Sequence, residues 1–403
     1  MPQPTPTTSL TTPLKWLLWI GAIIIGALLY YYDFRQLDGL RLTQARLVVG
    51  RDFFNVWSGG NLALADQLGK LYDYEAYMQW QASLFGALDP YNYSYPPQSL
   101  FLAIPFASLP YVTALIVWTL AGTAFFIWAA RPYMPGNLSP LLAAVTPAAI
   151  VNIWVGHYGF VVGGLWLLFF NATIQTPRRS GIFAGLLTIK PHLGLFIALT
   201  LLHRKMVGAI LVALAITGSL VLASGWAFGF DLWHQWIFET SVLQTRIMTA
   251  PGEKFYYLMM PSTFITLRNA PQMVAVAGQI CAAGLAMFLV WKARDVDNRR
   301  LAFVTATATA IISPYIFNYD LTVASLGFAV LLYGHWDELE GWERIMVWVA
   351  FASPLLVMIS APLAPLSLLV GLAVQVRHAI GAKDYAALGF VPPAWRKTSR
   401  VFS

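Results

Sequence analysis

Five ionisable side chains in this sequence stand in or beside long apolar runs: Asp52, His157, Lys190, His192 and Asp320. Such groups are rare in hydrocarbon, and where they occur they mark substrate sites or proton paths. Asp52, in Arg51-Asp52-Phe53-Phe54, has the chemistry of a general base for an incoming hydroxyl; an aspartate ahead of a helix also serves as an N-cap. Lys190 and His192 flank Pro191 and could bind a phosphate at headgroup level, the lysine as a point charge, although Lys190 could instead snorkel to the interface. His157, in Gly156-His157-Tyr158-Gly159, could donate a hydrogen bond to substrate or sit satisfied in the interior. Asn318, Tyr319 and Asp320 follow Ser313-Pro314 at a helix break, where sugar hydroxyls could be held or where Asp320 could cap a helix. Arg246 and Arg268 are further candidates for a phosphate. There is no phosphate-binding glycine loop, no H-E-x-x-H and no Cys/His ligand spacing, so neither metal nor cofactor is expected. The single cysteine, Cys281, lies inside an apolar run and reads as a core residue.

The elements that must position these residues are membrane helices. Of 403 residues, 58% are hydrophobic and 11% charged, against about 25% charged in a soluble domain. Apolar runs open with Leu14 to Tyr32 and recur near 98–130, 138–155, 160–175, 206–224, 272–291, 301–316, 321–334, 344–360 and 366–377. The pattern predicts an all-α polytopic membrane protein of roughly a dozen membrane elements, some short or broken. One transmembrane domain would cover 13–380, between a disordered Pro/Thr-rich tail at 1–12 and a cytoplasmic tail at 381–403. The first run ends in Tyr30-Tyr31-Tyr32, an interfacial belt, and reads as an anchor rather than a cleaved signal.

The net charge of +7 does not point to nucleic acid. Its basic residues cluster in short loops (Arg178-Arg179, Arg204-Lys205, Lys292 to Arg300, Arg396-Lys397), as positive-inside loops do. That distribution predicts both termini in the cytoplasm and two external segments, at 33–96 and 225–261. Within the first, Phe53 to Leu68 and Tyr74 to Leu84 show the helical spacing of amphipathic helices on a membrane surface. Lys190-Pro191-His192 interrupts 181–202, and Gly156 to Gly159 interrupts 138–175. Proline ends a helix, and broken helices at membrane depth are tolerated only where the backbone lines protein or a wet cavity. In this orientation the five ionisable residues all face the outside, so a single pocket at the outer leaflet is expected.

A series of short blocks then resembles glycosyltransferase family 87, the polyprenyl-phosphate-mannose-dependent mannosyltransferases with a GT-C membrane fold. The blocks are Arg51-Asp52-Phe53 with Leu71-Tyr72-Asp73, and Tyr95-Pro96-Pro97 leading through Pro105 to Leu109-Pro110. Gly156-His157 follows, then Lys190-Pro191-His192 with Gly194, and Ser313-Pro314. The resemblance runs from about residue 45 to 335. It implies a GT-C-type helical bundle in the plasma (inner) membrane, a polyprenyl-phosphate-linked sugar donor, and a lipid or glycan acceptor. It further implies an inverting transfer at the periplasmic or outer face, with Asp52 as base and Lys190 on the donor phosphate. Two positions depart from the family pattern: His157 stands where glutamine is usual, and Asn318-Tyr319-Asp320 where mannosyltransferases tend to carry histidine. The sugar, mannose or a relative, and the acceptor stay open on that account. A transporter or flippase of a lipid-linked sugar is the competing reading, since broken helices also suit carriers; the absence of an inverted repeat and the long external segments weigh against it.

Overall fold

The computed structural model describes residues 12–89, 91–136, 138–252, 254–382 and 385–388. The tails expected at 1–12 and 381–403 fall almost wholly outside these residues. The described residues are helical, with one small sheet, and form two compact units: Trp16–Pro132 with Pro140–Glu253, and Tyr133–Ser139 with the described residues from Lys254 on.

The larger unit opens with α1 (Thr12–Phe34), followed by three two-residue strands, β1 (Leu37–Asp38), β2 (Arg41–Leu42) and β3 (Leu47–Val48), paired antiparallel in that order. This sheet has no counterpart in the sequence reading, because strands of two residues carry no periodicity. Next come α2 (Phe53–Leu64), α3 (Tyr74–Phe85), α4 (Leu100–Ala107) and α5 (Tyr111–Ala130). The ambiguous 98–130 run thus divides at Leu109-Pro110, because proline has no N–H to offer and disfavours helix in the residue before it. Pro105 sits inside α4. Then α6 (Pro147–Val155) and α7 (Gly159–Gln175) form one broken pair, and α8 (Pro177–Leu186) and α9 (Leu195–His203) a second. The unit closes with α10 (Val207–Phe228) and α11 (Asp231–Thr249).

One expectation needs correcting. The helix expected to lie on the membrane surface, α2, is a core helix: Phe53, Phe54, Asn55, Val56, Ser58, Gly59, Gly60 and Leu62 are all buried. Small residues make this possible. A Cβ on Gly60 would stand 2.5 Å from the Ala107 Cβ and one on Gly59 2.5 Å from the Tyr93 ring, so α4 and Tyr93 both close directly onto α2. Polar residues that read as a solvent face are satisfied inside; Asn55 Oδ1 accepts from Tyr77 Oη at 2.9 Å. In α3, by contrast, only Tyr77 and Gln81 are buried.

The smaller unit contains α12 (Thr263–Thr266), α13 (Gln272–Ala293), α14 (Asn298–Ile312), α15 (Thr322–Gly334), α16 (Gly341–Leu356) and α17 (Leu363–Ala379). Its close packing again uses glycine: a Cβ on Gly371 would lie 2.6 Å from the Ala350 Cβ, and one on Gly327 2.7 Å from that of Phe303. A buried Glu343–Arg377 ion pair, 2.5 Å from Oε1 to Nε, joins α16 to α17.

Among the described residues four helices are long and apolar enough to cross a membrane: Trp16–Phe34, Tyr111–Tyr133, Val207–Phe228 and Gln272–Ala293. The 22 residues of Val207–Phe228 reach about 33 Å at about 1.5 Å per residue, enough for about 30 Å of hydrocarbon. Leu211, Leu214 and Leu222 on this helix are each more than 60% exposed, a costly arrangement in water and the ordinary one against lipid. Pro97–Ala107, Gly159–Gln175 and Leu363–Ala379 are shorter apolar helices.

A buried knot ties the end of α1 to the start of α2. Asp33 Oδ1 lies 2.6 Å from Arg51 Nη2, Asp33 Oδ2 accepts from Trp154 Nε1 at 2.8 Å, and the Arg51 guanidinium lies 4.0 Å from the Trp154 ring centroid. Asp33→Ala would leave Arg51 buried without its carboxylate, a loss expected to cost about 3–5 kcal/mol. The melting temperature of the purified protein in detergent should fall accordingly, whereas Trp154→Phe, which keeps a ring and drops one donor, should cost about 1 kcal/mol. An Asp33→Ala protein that melts with the wild type would show that the knot anchors nothing.

Candidate active site

The turn that carries Asp52 is held from several sides. Gly50 has φ +79° and Arg51 φ +40°, a left-handed stretch that costs a non-glycine residue about 1–3 kcal/mol unless its surroundings enforce it. The knot around Asp33 does so. Tyr111 Oη donates to Val49 O at 2.5 Å and Val48 N donates to Tyr91 Oη at 3.3 Å, which fixes the approach to the turn. Asp52 emerges half-buried at the start of α2, with helical backbone angles and no side-chain bond to the helix end. Its carboxylate is therefore not engaged in capping α2. Tyr91 feels it: burial first, and then the Asp52 charge, push the phenol up.

The neighbouring wall is the break between α6 and α7. Gly156 ends α6 in the left-handed conformation, φ +66°, and a Cβ there would lie 2.6 Å from the Phe53 Cβ and 3.2 Å from Gly50 O. Only glycine lets the turn bearing His157 rest on the turn bearing Asp52. Trp118 Nε1 donates to Gly156 O at 2.8 Å and locks the contact. His157 is buried, its Nε2 2.7 Å from Tyr95 Oη. The Tyr95 ring packs tilted against Tyr158, centroids 4.4 Å apart, and is followed by Pro96 in an extended conformation, so the phenol comes from a stiff segment.

That segment leads to the second break. Gln98 Nε2 donates to Thr188 Oγ1 at 2.8 Å, linking it to the turn between α8 and α9. Pro191 forces Lys190 out of helix, to φ −139° and ψ 71°, and the lysine side chain is buried. His192, one residue past Pro191, keeps part of its surface open although protein crowds the ring. Its pKa is pushed down to about 3, by desolvation first and the Lys190 charge second. His157 is lowered as well, by burial first, then by Lys190 and His192. Both imidazoles are thus neutral at pH 7 beside a buried ammonium.

Asp52, His157, Lys190 and His192 therefore belong to one continuous set of contacts in the larger unit. Arg246 lies in the same unit on α11, a helix anchored where Trp236 Nε1 donates to Ser94 O at 3.1 Å. It is exposed ten residues beyond that anchor, about 15 Å along the axis. The remaining candidates lie in the smaller unit, engaged with its own chain. The Arg268 guanidinium covers the Tyr257 ring at 4.5 Å and donates to Ile265 O at 3.4 Å. Asn318 is buried with Nδ2 donating to Pro354 O at 2.7 Å, Tyr319 stacks on Phe317 at 5.1 Å, and Asp320 Oδ2 accepts from Phe317 N at 3.3 Å.

Sequence reasoning missed the tyrosines. Tyr91, Tyr93 and Tyr95 alternate along an extended stretch, and Tyr93 Oη lies 2.7 Å from Ser99 Oγ while Tyr72 Oη donates to Tyr95 O at 2.6 Å. A period of two places such residues on one face, and that signal was legible in Tyr-Asn-Tyr-Ser-Tyr. An apolar recess of about 500 Å³ also opens beside the Asp52 turn, lined by Tyr30, Phe34, Leu115 and Leu120 with Asp33 and Trp154.

Chemically the arrangement offers a carboxylate on one rigid turn, a buried cation on a second and a neutral phenol–imidazole pair between them. Residues 93–314 match the model of glycosyltransferase family 87. No curated protein and no solved structure matches the chain.

The histidines carry a pH signature. Unfolded, each titrates near about 6.5; folded, His157 and His192 resist protonation, so below that pH the unfolded state binds more protons and stability falls with pH. It should be complete above about pH 6.5 and decline progressively in acid, through His192 down to about pH 3. His192→Gln should flatten the decline of melting temperature between about pH 6 and pH 4. Parallel profiles for variant and wild type would deny His192 this role.

Proposed function

Because the chain belongs to glycosyltransferase family 87 and is thereby a membrane glycosyltransferase, we propose that it transfers a hexose, mannose or a relative, from a polyprenyl-phosphate donor to an acceptor hydroxyl. The carrying observation is that the turn of Asp52 rests on Gly156 while the adjoining His157 lies within the field of Lys190. A candidate base and a buried lysine thereby flank one neighbourhood.

The reaction follows from that placement. The acceptor oxygen attacks the anomeric carbon while its proton passes to the Asp52 carboxylate. The bond from that carbon to the phosphate oxygen breaks on the opposite face, its electron pair leaves with the polyprenyl phosphate, and configuration inverts. The transition state has the oxocarbenium character of glycoside cleavage. Charge grows on the departing phosphate, where a preorganised ammonium stabilises it most; Lys190 supplies this, with His192 beside it. His157, neutral and hydrogen-bonded to Tyr95, orients the sugar. The apolar recess beside the Asp52 turn suits an isoprenoid chain entering from the bilayer. Arg246 is a further phosphate candidate of the same unit, and Arg268, Asn318, Tyr319 and Asp320 each contact their own unit.

The wider setting proposed is a GT-C-type bundle of about 12 membrane elements in the plasma (inner) membrane, with both termini cytoplasmic and the site on the periplasmic or outer face. The support is the clustering of basic residues in the loops assigned to the cytoplasm. The acceptor is a lipid or glycan presented at that face.

Purified protein supplied with radiolabelled polyprenyl-phosphate sugars and a membrane lipid extract should incorporate label from one donor. Asp52→Asn should reduce turnover by about 10²–10⁴-fold while still binding donor. Turnover at the wild-type rate in that variant overturns the base assignment, and no incorporation from any donor overturns the donor class. Lys190→Ala should lower kcat/KM by about 10²-fold or more, the scale of a lost preorganised charge contact. An unchanged donor affinity and rate would remove Lys190 from the phosphate site.

A further inference from the structure

Away from this site, two histidines and a carboxylate converge from separate elements of the smaller unit. His335 follows α15, Glu338 ends the single turn Trp336–Glu338, and His378 stands in the last turn of α17, 40 residues beyond Glu338. His335 Nδ1 lies 2.8 Å from Glu338 Oε1, and His378 Nε2 lies 2.8 Å from Glu338 Oε2, so both imidazoles meet one carboxylate. The two rings are 4.6 Å apart at 63°. One ligand atom from each residue falls within 4.8 Å of the others.

The frame beneath is rigid. Arg377, next to His378, is buried and bonded through Nε and Nη2 to both oxygens of Glu343, at 2.5 and 2.6 Å. Arg377 Nη2 also donates to Glu338 O at 3.3 Å, so the backbones that bear Glu338 and His378 are fixed to each other. Glu338 itself is exposed, so water can reach the carboxylate that the two imidazoles share. We propose that His335, Glu338 and His378 bind one divalent transition-metal ion of the zinc class, clipping the end of α15 to the end of α17.

Imidazole nitrogen and carboxylate oxygen are the donors zinc takes at about 2.0–2.2 Å, and imidazole favours zinc, copper and nickel over magnesium and calcium. A rotation of Glu338 and small ring movements bring the three donors to that radius, with water in the fourth position. Each imidazole binds as the neutral ring, so one dication replaces the protons that the two imidazole–carboxylate contacts otherwise need. Arg300, whose Nη1 donates to Ala379 O at 3.2 Å, places a positive charge nearby and limits the affinity. The site is structural, and it stands independently of the transfer reaction proposed above.

The test uses the full-length, untagged protein in detergent, stripped with a chelator and titrated with Zn²⁺, and separately with Co²⁺. The wild type should bind one equivalent of Zn²⁺, melt at a higher temperature in its presence, and give the visible absorption of four-coordinate Co²⁺. His335→Ala and His378→Ala should each weaken binding at least tenfold and lose the thermal response, and Glu338→Gln should weaken it less. Asp52→Asn should bind as the wild type does, which separates this site from the transfer site. Failure of the wild type to take up metal beyond a detergent blank, or unchanged binding in both histidine variants, overturns the proposal.

Discussion

One carboxylate, that of Asp33, fixes the turn from which Asp52 emerges. It closes the first membrane helix, accepts from the Trp154 indole and pairs with Arg51, whose guanidinium lies against the same indole. A buried ion pair is a weak source of net stability, because desolvation consumes most of the Coulombic gain. Its value here is positional. Arg51 occupies a left-handed conformation that an arginine would otherwise avoid, and the bond to Asp33 maintains it. The next residue is Asp52. Three segments distant in sequence, the ends of α1 and α6 and the start of α2, meet at this pair, so the direction of the catalytic candidate is set by a contact that touches no substrate.

The rest of the site follows from helices that stop early. A continuous membrane helix satisfies its own backbone and exposes no polar atoms, which makes it stable and chemically silent. Each break releases backbone and admits side chains that hydrocarbon would reject. Gly156 provides one break and lies so close to Phe53 that no side chain fits between. Pro191 provides the other and throws Lys190 out of helix. Tyr95, on a segment stiffened by Pro96 and Pro97, reaches His157 at the first break while Gln98 reaches Thr188 at the second. Two defects in the helical pattern are thereby tied to one segment.

Much of this was legible in the residues. Apolar runs announced the helices, and Lys190-Pro191-His192 and Gly156 to Gly159 announced the breaks, because proline and glycine act locally on the backbone. Pairings were not legible. Nothing in the composition near Asp33 says that Arg51 and Trp154 will share it, since that depends on how three segments fold together. The burial of α2 was hidden for a related reason: helical spacing shows that one face is apolar, but Ser58-Gly59-Gly60 on the other face signals close packing only once a partner such as α4 is known. At Asp320 the sequence left two readings open, a sugar contact and a helix cap. Polar residues after a helix break can serve a substrate or the irregular backbone, and here Asn318 donates to Pro354 O and Asp320 accepts from Phe317 N.

The separation of charge along the site has a further consequence. Lys190 is buried, and a buried ammonium is tolerable only where its surroundings do not add positive charge. Two histidines lie within its field, and both respond by remaining neutral. That neutrality is useful as well as forced. A neutral ring at His157 adds no positive charge beside Lys190 and keeps the imidazole in its hydrogen bond with Tyr95. Burial does most of this and the lysine adds to it, so both imidazoles are held neutral by the fold itself.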